Sequence, residues 1–498
     1  MLLNAELLLQ YQRCKRRPYL DAHGDKSQRD APSELLLKLQ QERVTHQQTV
    51  LEQINYHKPE YSPRNWRGGA KATLELMQQG VDCIYQGVLL ATYRESYTLL
   101  SCPDLLIKQP GNSRFGEWTY FPANIELGKR PKQEYQVVAA FHAQVLAAVQ
   151  EVAPDRTWLL LRGAGMYRPP HAVDLAKWIP QMHSILKDCI ATLEAPEAPE
   201  VFISRQRCNL CRWYSQCYSV AQSQRHLSLL PGVTPTRYTQ LQALNLTTVE
   251  SLANTSPSEL ENLPGFDEKV APKLVIQAQA VVEKRPLILD YPGNYVGYKS
   301  RLLSQNNHIS TYSYSPIELY FDIEAQPNLN LDYLLGVLVV DKQNNQEKFY
   351  SFLAEKPEEE ALIWQEFLDL VWEYPQAPIF HFCSYEVDTI KRLAKLYRTK
   401  HHYIEPLLTR CVDIYEQVTQ TVALPVESYA LKAIARWLGF EWRDPEASGA
   451  KCIYWYDEWL ETGDRTLLEI IQRYNEDDCH ATRRIKDWLV SFMLSPES

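Results

Sequence analysis

The sequence predicts a multidomain protein of the α/β class, and three observations support this prediction. The chain has 498 residues, enough for about three domains of ordinary size. Hydrophobic residues make up 45% of the chain and charged residues 23%, as in folded globular proteins, so several packed cores can form. Strand-like runs alternate with stretches of helical period in both the first and the last third of the sequence.

The first predicted domain covers residues 1–225 and mixes helices with strands. Apolar side chains recur at helical spacing over residues 32–56, and residues 134–151 are predicted to form a second helix. Between them, strand-like stretches lie at 81–91, 96–107 and 118–127. A helix, several strands and a further helix in this order favour an α/β core.

The second predicted domain is a small helical module at residues 226–285, in which two helical units each open with Leu-Pro-Gly. The second unit resembles a helix–hairpin–helix motif, whose backbone N–H groups bind a phosphate. This resemblance implies nucleic-acid contacts at Gly265 and Lys269. Asp267 stands where the motif usually has a second glycine, and an acid would repel phosphate. A purely structural connector is therefore the alternative, and the Pro- and Ser-containing stretch 285–315 is predicted to be a linker.

The third predicted domain covers residues 315–498 and again combines strands with helices. The predicted strands lie at 317–325, 334–341 and 378–384. The predicted helices lie at 387–397, 428–439 and 466–492. Strands that precede helices, with acidic residues near the ends of the elements, are typical of an α/β sheet domain with a site at the sheet edge.

Acidic residues that lie far apart in this third domain form three groups. Asp322 and Glu324 stand at positions i and i+2 of the first strand, so both project from one face. Tyr474 and Asp478 stand four residues apart on the last helix and also share a face. Glu386 follows the end of the third strand. Together such carboxylates can hold two divalent cations, which activate water and stabilise the departing oxygen in phosphodiester hydrolysis.

The order of these groups resembles the tyrosine-containing branch of the DEDD exonuclease superfamily. The blocks HFCSYE (381–386), SYALK (428–432) and YNEDDCHAT (474–482) are similar to those of YprB-type RNase H-like domains. The resemblance implies a 3′–5′ exonuclease in which Tyr474 orients the attacking water. It also implies that two Mg²⁺ or Mn²⁺ ions are bound by Asp322, Glu324, Glu386 and Asp478.

Two positions in this domain leave alternatives open. The second motif of the superfamily usually supplies an aspartate, so Asp388 competes with Glu386 as the metal ligand. Glu386 is preferred because glutamate is usual there in the YprB-like branch. Lys432 could lie near a phosphate, but a solvated lysine on a helix is the preferred interpretation. Asn475, Glu476 and Asp477 are expected to flank the site without binding metal.

A compact group of cysteines ends the first domain. Cys208, Cys211 and Cys217 have the spacing C-x-x-C-x5-C, which indicates a metal or cluster site in a reducing cell. With Cys14 near the start of the chain, they resemble the cysteines of iron–sulfur-bearing RecB-like nucleases. The resemblance implies a 4Fe–4S cluster that joins the two ends of the nuclease domain. Zinc and free thiols are the alternatives.

The same RecB-like resemblance implies a restriction-endonuclease-like fold with a nuclease site of the PD-(D/E)XK type. His46 and Asp104 match its first two positions. Asn124 stands at the position of the metal-binding acid, and Glu126 at that of the lysine that polarises water. An amide binds a cation weakly, and a carboxylate reverses the charge of the lysine. The N-terminal site is therefore expected to be degenerate and inactive.

Composition narrows the possible functions. The formal net charge of −9 is unlike that of proteins that coat nucleic acid by bulk electrostatics, although a nuclease needs only a local basic track. No run of about 18 apolar residues occurs, so no membrane span is expected. Residues 1–10 lack the basic start of a signal peptide, which favours the cytoplasm.

Nearly the whole chain resembles RecB-like nucleases with a C-terminal RNase H-like domain. We therefore expect a metal-dependent, two-metal-ion exonuclease that acts on DNA or RNA through its C-terminal domain. The alternative is a nucleic-acid-binding or scaffold protein in which both nuclease folds are inert.

Overall fold

In the computed structural model, which describes residues 1–163, 169–289 and 315–494, the chain forms two compact units. They are Met1–Val220 and Ala221–Ser498. The helical module thus lies in the same unit as the C-terminal sheet domain, whereas the two were predicted from the sequence as separate domains. The division at 225 and 285 remains a prediction, and residues 290–314 of the predicted linker lie outside the described residues.

The first unit contains two β-sheets. Its strands are β1 (Leu2–Asn4), β2 (Cys83–Tyr85), β3 (Leu89–Tyr93), β4 (Tyr97–Ser101), β5 (Leu105–Ser113), β6 (Gly116–Glu126), β7 (Trp158–Leu161) and β8 (His171–Ala172). Five of them form a mixed sheet in the order β2-β5-β6-β7-β8, in which β6 and β7 are parallel. The others form a three-stranded sheet in the order β1-β4-β3. The α/β class predicted for this part of the chain is confirmed.

Helices surround these sheets. They are α1 (Ala5–Arg13), α2 (Arg16–His23), α3 (Glu34–Leu51), α4 (Trp66–Gln78), α5 (Gln133–Gln150), α6 (Leu175–Glu194), α7 (Arg205–Cys208) and α8 (Tyr214–Ser223). The sequence predicted α3 and α5 within a few residues of their ends. Helix α5 is mainly apolar and most of its side chains are buried, so it forms the centre of the unit's core.

The helical module opens the second unit. It consists of α9 (Pro235–Ala243), α10 (Val249–Ala253), α11 (Val270–Glu283) and the short strand β9 (Leu287–Ile288). The two Leu-Pro-Gly turns have similar backbones, because Gly232 has a φ of 91° and Gly265 a φ of 88°. The Arg237 guanidinium donates to both glycine carbonyls, at 2.7 Å each. One arginine therefore joins the two turns.

A five-stranded sheet forms the body of the second unit. Its strands are β10 (Ile317–Gln326), β11 (Leu331–Asp341), β12 (Gln346–Leu353), β13 (Ile379–His381) and β14 (Cys411–Asp413). Their order is β12-β11-β10-β13-β14, with the first three antiparallel and β10, β13 and β14 parallel. A further short strand, β15 (Val422–Ala423), pairs with β9. The three predicted strands are present, but the third ends at His381, three residues earlier than expected.

The helices of this sheet domain are α12 (Glu360–Glu373), α13 (Tyr385–Leu396), α14 (His401–Thr409), α15 (Ile414–Thr421), α16 (Leu431–Trp437), α17 (Gly449–Thr462) and α18 (Arg465–Leu494). Helix α18 packs against β10 and β11, and its buried positions include the polar residues Asn475 and Asp478 as well as apolar ones. Helices and sheet share one large apolar core. Among the described helices, none combines the length and apolar composition needed to cross a membrane.

Candidate metal centre

Strand β10 presents two acids on one face, as the spacing predicts. Asp322 lies in the regular antiparallel ladder opposite Gly336, and the ladder shifts register just after Glu324. Glu324 is buried and Asp322 is partly exposed, so the cluster lies at the border between the core and the surface of the domain. A buried acid and a partly buried acid on one strand face are costly unless a cation or a proton compensates them.

Helix α18 supplies the third carboxylate. Asp478 is buried, and Tyr474 lies one turn before it on the same face. One donor oxygen each from Asp322, Glu324 and Asp478 lie within 4.8 Å of one another. Among the described residues, this is the one group of three metal-ligating side chains that is so close. The convergence expected from the sequence is thus found for three of the four proposed ligands.

The three carboxylates perturb one another strongly. Burial raises the pKa of Asp322, Glu324 and Asp478 above the ordinary carboxyl range. The charge of Asp478 raises the pKa of both other acids further. Such a cluster is stable only when protons or cations neutralise it, and divalent cations prefer carboxylate oxygens. The donor set therefore fits a divalent metal ion.

Glu386 lies beside this cluster but not within its closest group. It is in the first turn of α13 and buried, and its charge contributes to the raised pKa of Asp322. The Nδ1 atom of buried His381 is 3.4 Å from Glu386 Oε2. Asp388, the competing candidate, is exposed on the same helix. This arrangement favours Glu386 over Asp388 as the fourth ligand.

Two aromatic side chains hold Asp478. The Trp442 indole Nε1 donates to Asp478 Oδ1 at 2.7 Å. Hydrogen bonds from Trp442 and from the Tyr474 hydroxyl oppose the effect of burial on the pKa of Asp478. Burial raises the pKa of Tyr474 itself, so its hydroxyl stays protonated and acts as a donor. Tyr474 is predicted from the sequence, whereas Trp442 is not, because nothing near it in the sequence indicates this contact.

Asn475 is a second residue whose role the sequence did not reveal. It is fully buried, and its Nδ2 donates to Asp322 Oδ2 at 2.7 Å. It reaches that carboxylate over Gly336, where an added Cβ would lie 1.6 Å from Asn475 Oδ1. A glycine inside strand β11 is the signal that could have indicated this close approach. Asn475 thus fixes the orientation of the Asp322 carboxylate, and its place as a flanking residue that does not bind metal remains a prediction.

Lys432 contradicts the preferred sequence interpretation. It is half-buried instead of solvated, and its ammonium lies 4.7 Å from the centre of the Tyr474 ring and 5.2 Å from that of Trp442. The ammonium also donates to the backbone carbonyl of Ala447. Its charge lowers the pKa of Glu324 and Asp478 against the effect of burial. Cation–π contacts with Tyr474 and Trp442, which belong to the site, explain why the lysine is half-buried.

The comparison with known proteins agrees with this geometry. Residues 319–490 match the sequence model of the RNase H superfamily. They form an RNase H-like domain. The match contains the whole five-stranded sheet apart from the first two residues of β10, together with the carboxylates and α16 to most of α18. No curated protein matches the chain. RNase H-like domains are typically nucleases that use divalent metal ions, and the acidic cluster of this domain is consistent with that chemistry.

The four candidate cluster cysteines lie near one another in the first unit. Burial raises the pKa of the Cys208, Cys211 and Cys217 thiols, and the charge of Cys14 raises each of the three pKa values further. Cys14 follows α1, while the other three follow or lie within α7 and α8. In the described part of the chain, no three of these sulfur atoms lie within 4.8 Å of one another. The set is thus more open than the carboxylate cluster.

Hydrogen bonds join the same two ends of this unit independently of any cluster. Trp213 Nε1 donates to Asp21 Oδ1 at 2.9 Å, and Arg212 Nε donates to the Asp30 carbonyl at 2.9 Å. Arg207 reaches the carbonyl of Arg13, next to Cys14, at 3.2 Å. The cysteines therefore lie where the chain's first helices meet α7 and α8.

The N-terminal candidate residues lie together around β6. Asp104 accepts hydrogen bonds from the Ile125 N–H at 2.7 Å and from Gln47 Nε2 at 2.8 Å, and Gln47 follows His46 on α3. Burial raises the pKa of Glu126 to about 7, and the exposed Arg43 opposes this. Within the described residues, neither His46 Nε2 nor Asn124 Oδ1 has a hydrogen-bond partner. Asp104 is thus bonded to protein groups, as Asp322 and Asp478 are in the C-terminal cluster.

The hairpin residues Gly265 and Lys269 have local roles. The Gly265 carbonyl accepts from Arg237, and Asp267 Oδ1 accepts from the backbone N–H groups of Lys269 and Val270 at 2.9 and 2.7 Å. Asp267 therefore occupies the N–H groups that a phosphate would need. The geometry favours the structural connector, and nucleic-acid binding by this hairpin remains a prediction.

Proposed function

We propose that the chain is a metal-dependent 3′–5′ exonuclease whose chemistry takes place in the RNase H-like domain. The observation that carries the proposal is the convergence of Asp322, Glu324 and Asp478 within 4.8 Å, on elements distant in sequence. Desolvated acids that repel one another are costly unless protons or cations neutralise them, and divalent cations prefer carboxylate oxygens. Glu386 and these three would hold two Mg²⁺ or Mn²⁺ ions, which supply activation of water and stabilisation of the departing oxygen.

The chain's own residues have defined roles in this reaction. Hydrolysis forms a bond between a water oxygen and phosphorus and breaks the bond from phosphorus to the 3′ oxygen. The water loses a proton, the departing oxygen gains one, and a nucleoside 5′-monophosphate is released. The protonated Tyr474 hydroxyl orients the water, while Trp442 and Asn475 fix the orientations of Asp478 and Asp322.

The test compares the wild type with Asp322→Ala on single strands of DNA and RNA, each labelled at the 3′ or the 5′ end. We expect the wild type in Mn²⁺ to give a ladder of shortening 5′-labelled products, and Asp322→Ala to lose at least about a hundredfold in rate. Undiminished, metal-dependent degradation by an Asp322→Ala, Asp478→Ala double variant would refute the assignment. Immediate release of the 5′ label would reverse the proposed polarity.

A matched pair of variants tests the fourth ligand. Glu386→Gln and Asp388→Asn each remove one negative charge from the same helix, but only the first alters a buried side chain beside the cluster. We expect Glu386→Gln to lose activity by about two orders of magnitude or more and Asp388→Asn to keep it. The reverse order would make Asp388 the ligand.

For the first unit we propose a restriction-endonuclease-like domain with a 4Fe–4S cluster on Cys14, Cys208, Cys211 and Cys217. Their mutual proximity supports a shared group. Zinc is the alternative, and it is distinguished by colour, because thiolate-bound zinc is colourless whereas a 4Fe–4S cluster absorbs visible light. Absorption near ~400 nm after anaerobic purification, with four irons per chain, is the expected result.

We further propose that the N-terminal nuclease site is inactive. A buried Glu126 that stays partly protonated at neutral pH cannot replace a lysine, and Asn124 offers only a neutral amide in place of the metal-binding acid. The same features favour the second candidate function, a nucleic-acid-binding protein without catalysis. Binding of labelled single strands by the wild type in Mn²⁺ without any cleavage would support that candidate against the exonuclease.

A further inference from the structure

We propose that Lys432 is a phosphate-binding residue of the RNase H-like domain, placed to contact the phosphodiester that is cut. The inference rests on the exonuclease function proposed above. It names a group beyond the carboxylates and Tyr474 that would contact the substrate.

The position of the ammonium is fixed by three contacts. It donates to the Ala447 carbonyl and lies against the faces of Tyr474 and Trp442, at 4.7 and 5.2 Å from their centres. Trp442 is hydrogen-bonded to Asp478, and Tyr474 lies one helical turn before Asp478. Lys432 therefore lies next to the residues that build the site, held in place by groups that do not neutralise its charge.

The balance of charge indicates what the lysine is for. Four ionised carboxylates, those of Asp322, Glu324, Glu386 and Asp478, balance two divalent cations. The charge of Lys432 then remains unbalanced in a half-buried position, which is unfavourable. A phosphodiester carries one negative charge, so its entry restores neutrality. A lysine that served only to neutralise the acids would become superfluous as soon as the metals bound.

If Lys432 binds phosphate, its removal should change the affinities for metal and for phosphate in opposite directions. The ammonium repels the divalent cations, so its removal should tighten metal binding. The same ammonium attracts phosphate, so its removal should weaken the binding of a phosphate-bearing ligand. A purely structural lysine would change both affinities in the same direction, because its loss would disorder the site.

The experiment uses the full chain and four proteins: wild type, Lys432→Gln, Lys432→Arg and Arg436→Gln. Glutamine is polar but uncharged, whereas arginine keeps the charge. Arg436 lies one turn further along α16 and is exposed, so it is a matched control for loss of a charge. Calorimetric titration measures Mn²⁺ binding at about pH 8.5, where protons compete least for the carboxylates. It then measures adenosine 5′-monophosphate binding to the Mn²⁺-loaded protein.

We expect Lys432→Gln to bind Mn²⁺ roughly three- to tenfold more tightly than the wild type. It should bind the nucleotide at least about tenfold more weakly. Lys432→Arg should recover most of the nucleotide affinity, and Arg436→Gln should stay within about twofold of the wild type for both ligands.

Several results would overturn the inference. Weaker binding of both ligands by Lys432→Gln would mean a structural role, and unchanged nucleotide affinity would remove the phosphate contact. A wild type that binds Mn²⁺ but not the nucleotide would also reject it. A wild type that binds no Mn²⁺ would instead contradict the proposed function, so the two failures are distinguishable. If Lys432→Gln does not fold, nucleotide binding is measured on Lys432→Arg. This variant keeps the positive charge, so it should keep nucleotide binding, and a loss of binding would overturn the inference.

Discussion

At the scale of single residues, the contact between Gly336 and Asn475 determines how Asp322 is presented. A methyl group at position 336 would lie 1.6 Å from Asn475 Oδ1, so Gly336→Ala must displace the amide. We expect a loss of about 1–3 kcal/mol in the free energy of unfolding, as for an overpacked core. Because Asp322 loses its hydrogen bond, Mn²⁺ affinity should also fall about 10- to 100-fold.

A double-mutant cycle distinguishes this cause from general disruption. In an Asn475→Ala background the clash with the amide is absent, so adding Gly336→Ala should cost less than about 1 kcal/mol in urea unfolding. Gly449→Ala is the control, since a Cβ there meets no atom within 4 Å in the described part of the chain. Equal costs of Gly336→Ala in both backgrounds would show that the two residues are not coupled.

Glu126 gives a prediction about pH. Burial raises the pKa of this carboxyl to about 7 in the folded protein, above the ordinary value that it has when unfolded. Its contribution to stability is therefore fully present at low pH and is lost as pH rises through 7. Glu126→Gln, which stays neutral, should be nearly neutral for stability at pH 5 and stabilise the protein at pH 8, by at most about 3 kcal/mol.

The measurement is the free energy of unfolding in urea at both pH values. Glu117→Gln, at an exposed position of the same strand, serves as the control and should change stability little at either pH. A loss of stability in Glu126→Gln at pH 8 would show that the ionised carboxylate has a favourable partner after all.

At the scale of secondary-structure elements, the proposed cluster on the four cysteines would join α1 to α7 and α8 across more than 190 residues of chain. Closing so long a loop by a shared cluster restricts the unfolded chain. Cys14→Ser should therefore lower the stability of the first unit by about 2–4 kcal/mol, by analogy with a covalent cross-link. Iron content and urea unfolding, measured on anaerobically purified protein, test this expectation.

Cys102→Ser is the matched control, because this cysteine is exposed and lies outside the set. It should keep its iron and its stability. Full iron content in Cys14→Ser would mean that Cys14 is not a ligand, even though its charge acts on the other three thiols.

The elements that sequence could predict are those with a local pattern. The i, i+2 spacing of Asp322 and Glu324 located β10, and the i, i+4 spacing of Tyr474 and Asp478 located the site on α18. Strand β12 was missed because its side chains are exposed or only partly buried, which leaves little apolar pattern.

The contacts made within the candidate site could not be predicted in this way. Trp442 and Lys432 reach Asp478 and Tyr474 from a different helix and its following loop, and no periodicity encodes such packing. Lys432 was therefore taken for a solvated residue, the usual state of a helix lysine. The glycine inside β11 was the one local signal of a close approach, but its partner Asn475 lies far away in sequence.

At the scale of the whole molecule, each unit has its own apolar core, and the carboxylate cluster belongs to the second unit alone. A ligand that binds only the folded state stabilises it by mass action. Mn²⁺ at about a hundredfold above its dissociation constant adds roughly 2.7 kcal/mol, which corresponds to a rise of about 5–10 °C in Tm for a unit of this size. Scanning calorimetry of the full chain, with and without Mn²⁺, should show this rise in one transition.

The raised pKa values of the cluster determine how this shift depends on pH. Without metal, the destabilising charge of Asp322, Glu324 and Asp478 grows as pH rises through their pKa values, because the folded state then loses protons that it holds more tightly than the unfolded state. Metal competes with those protons, so the Mn²⁺-induced rise in Tm should be larger at pH 8 than at pH 6. Asp478→Asn should abolish the Mn²⁺-induced rise in Tm, whereas Asp388→Asn should keep it. A rise that survives in Asp478→Asn would mean that the metal binds elsewhere. A rise in the transition that Cys14→Ser lowers would mean the same.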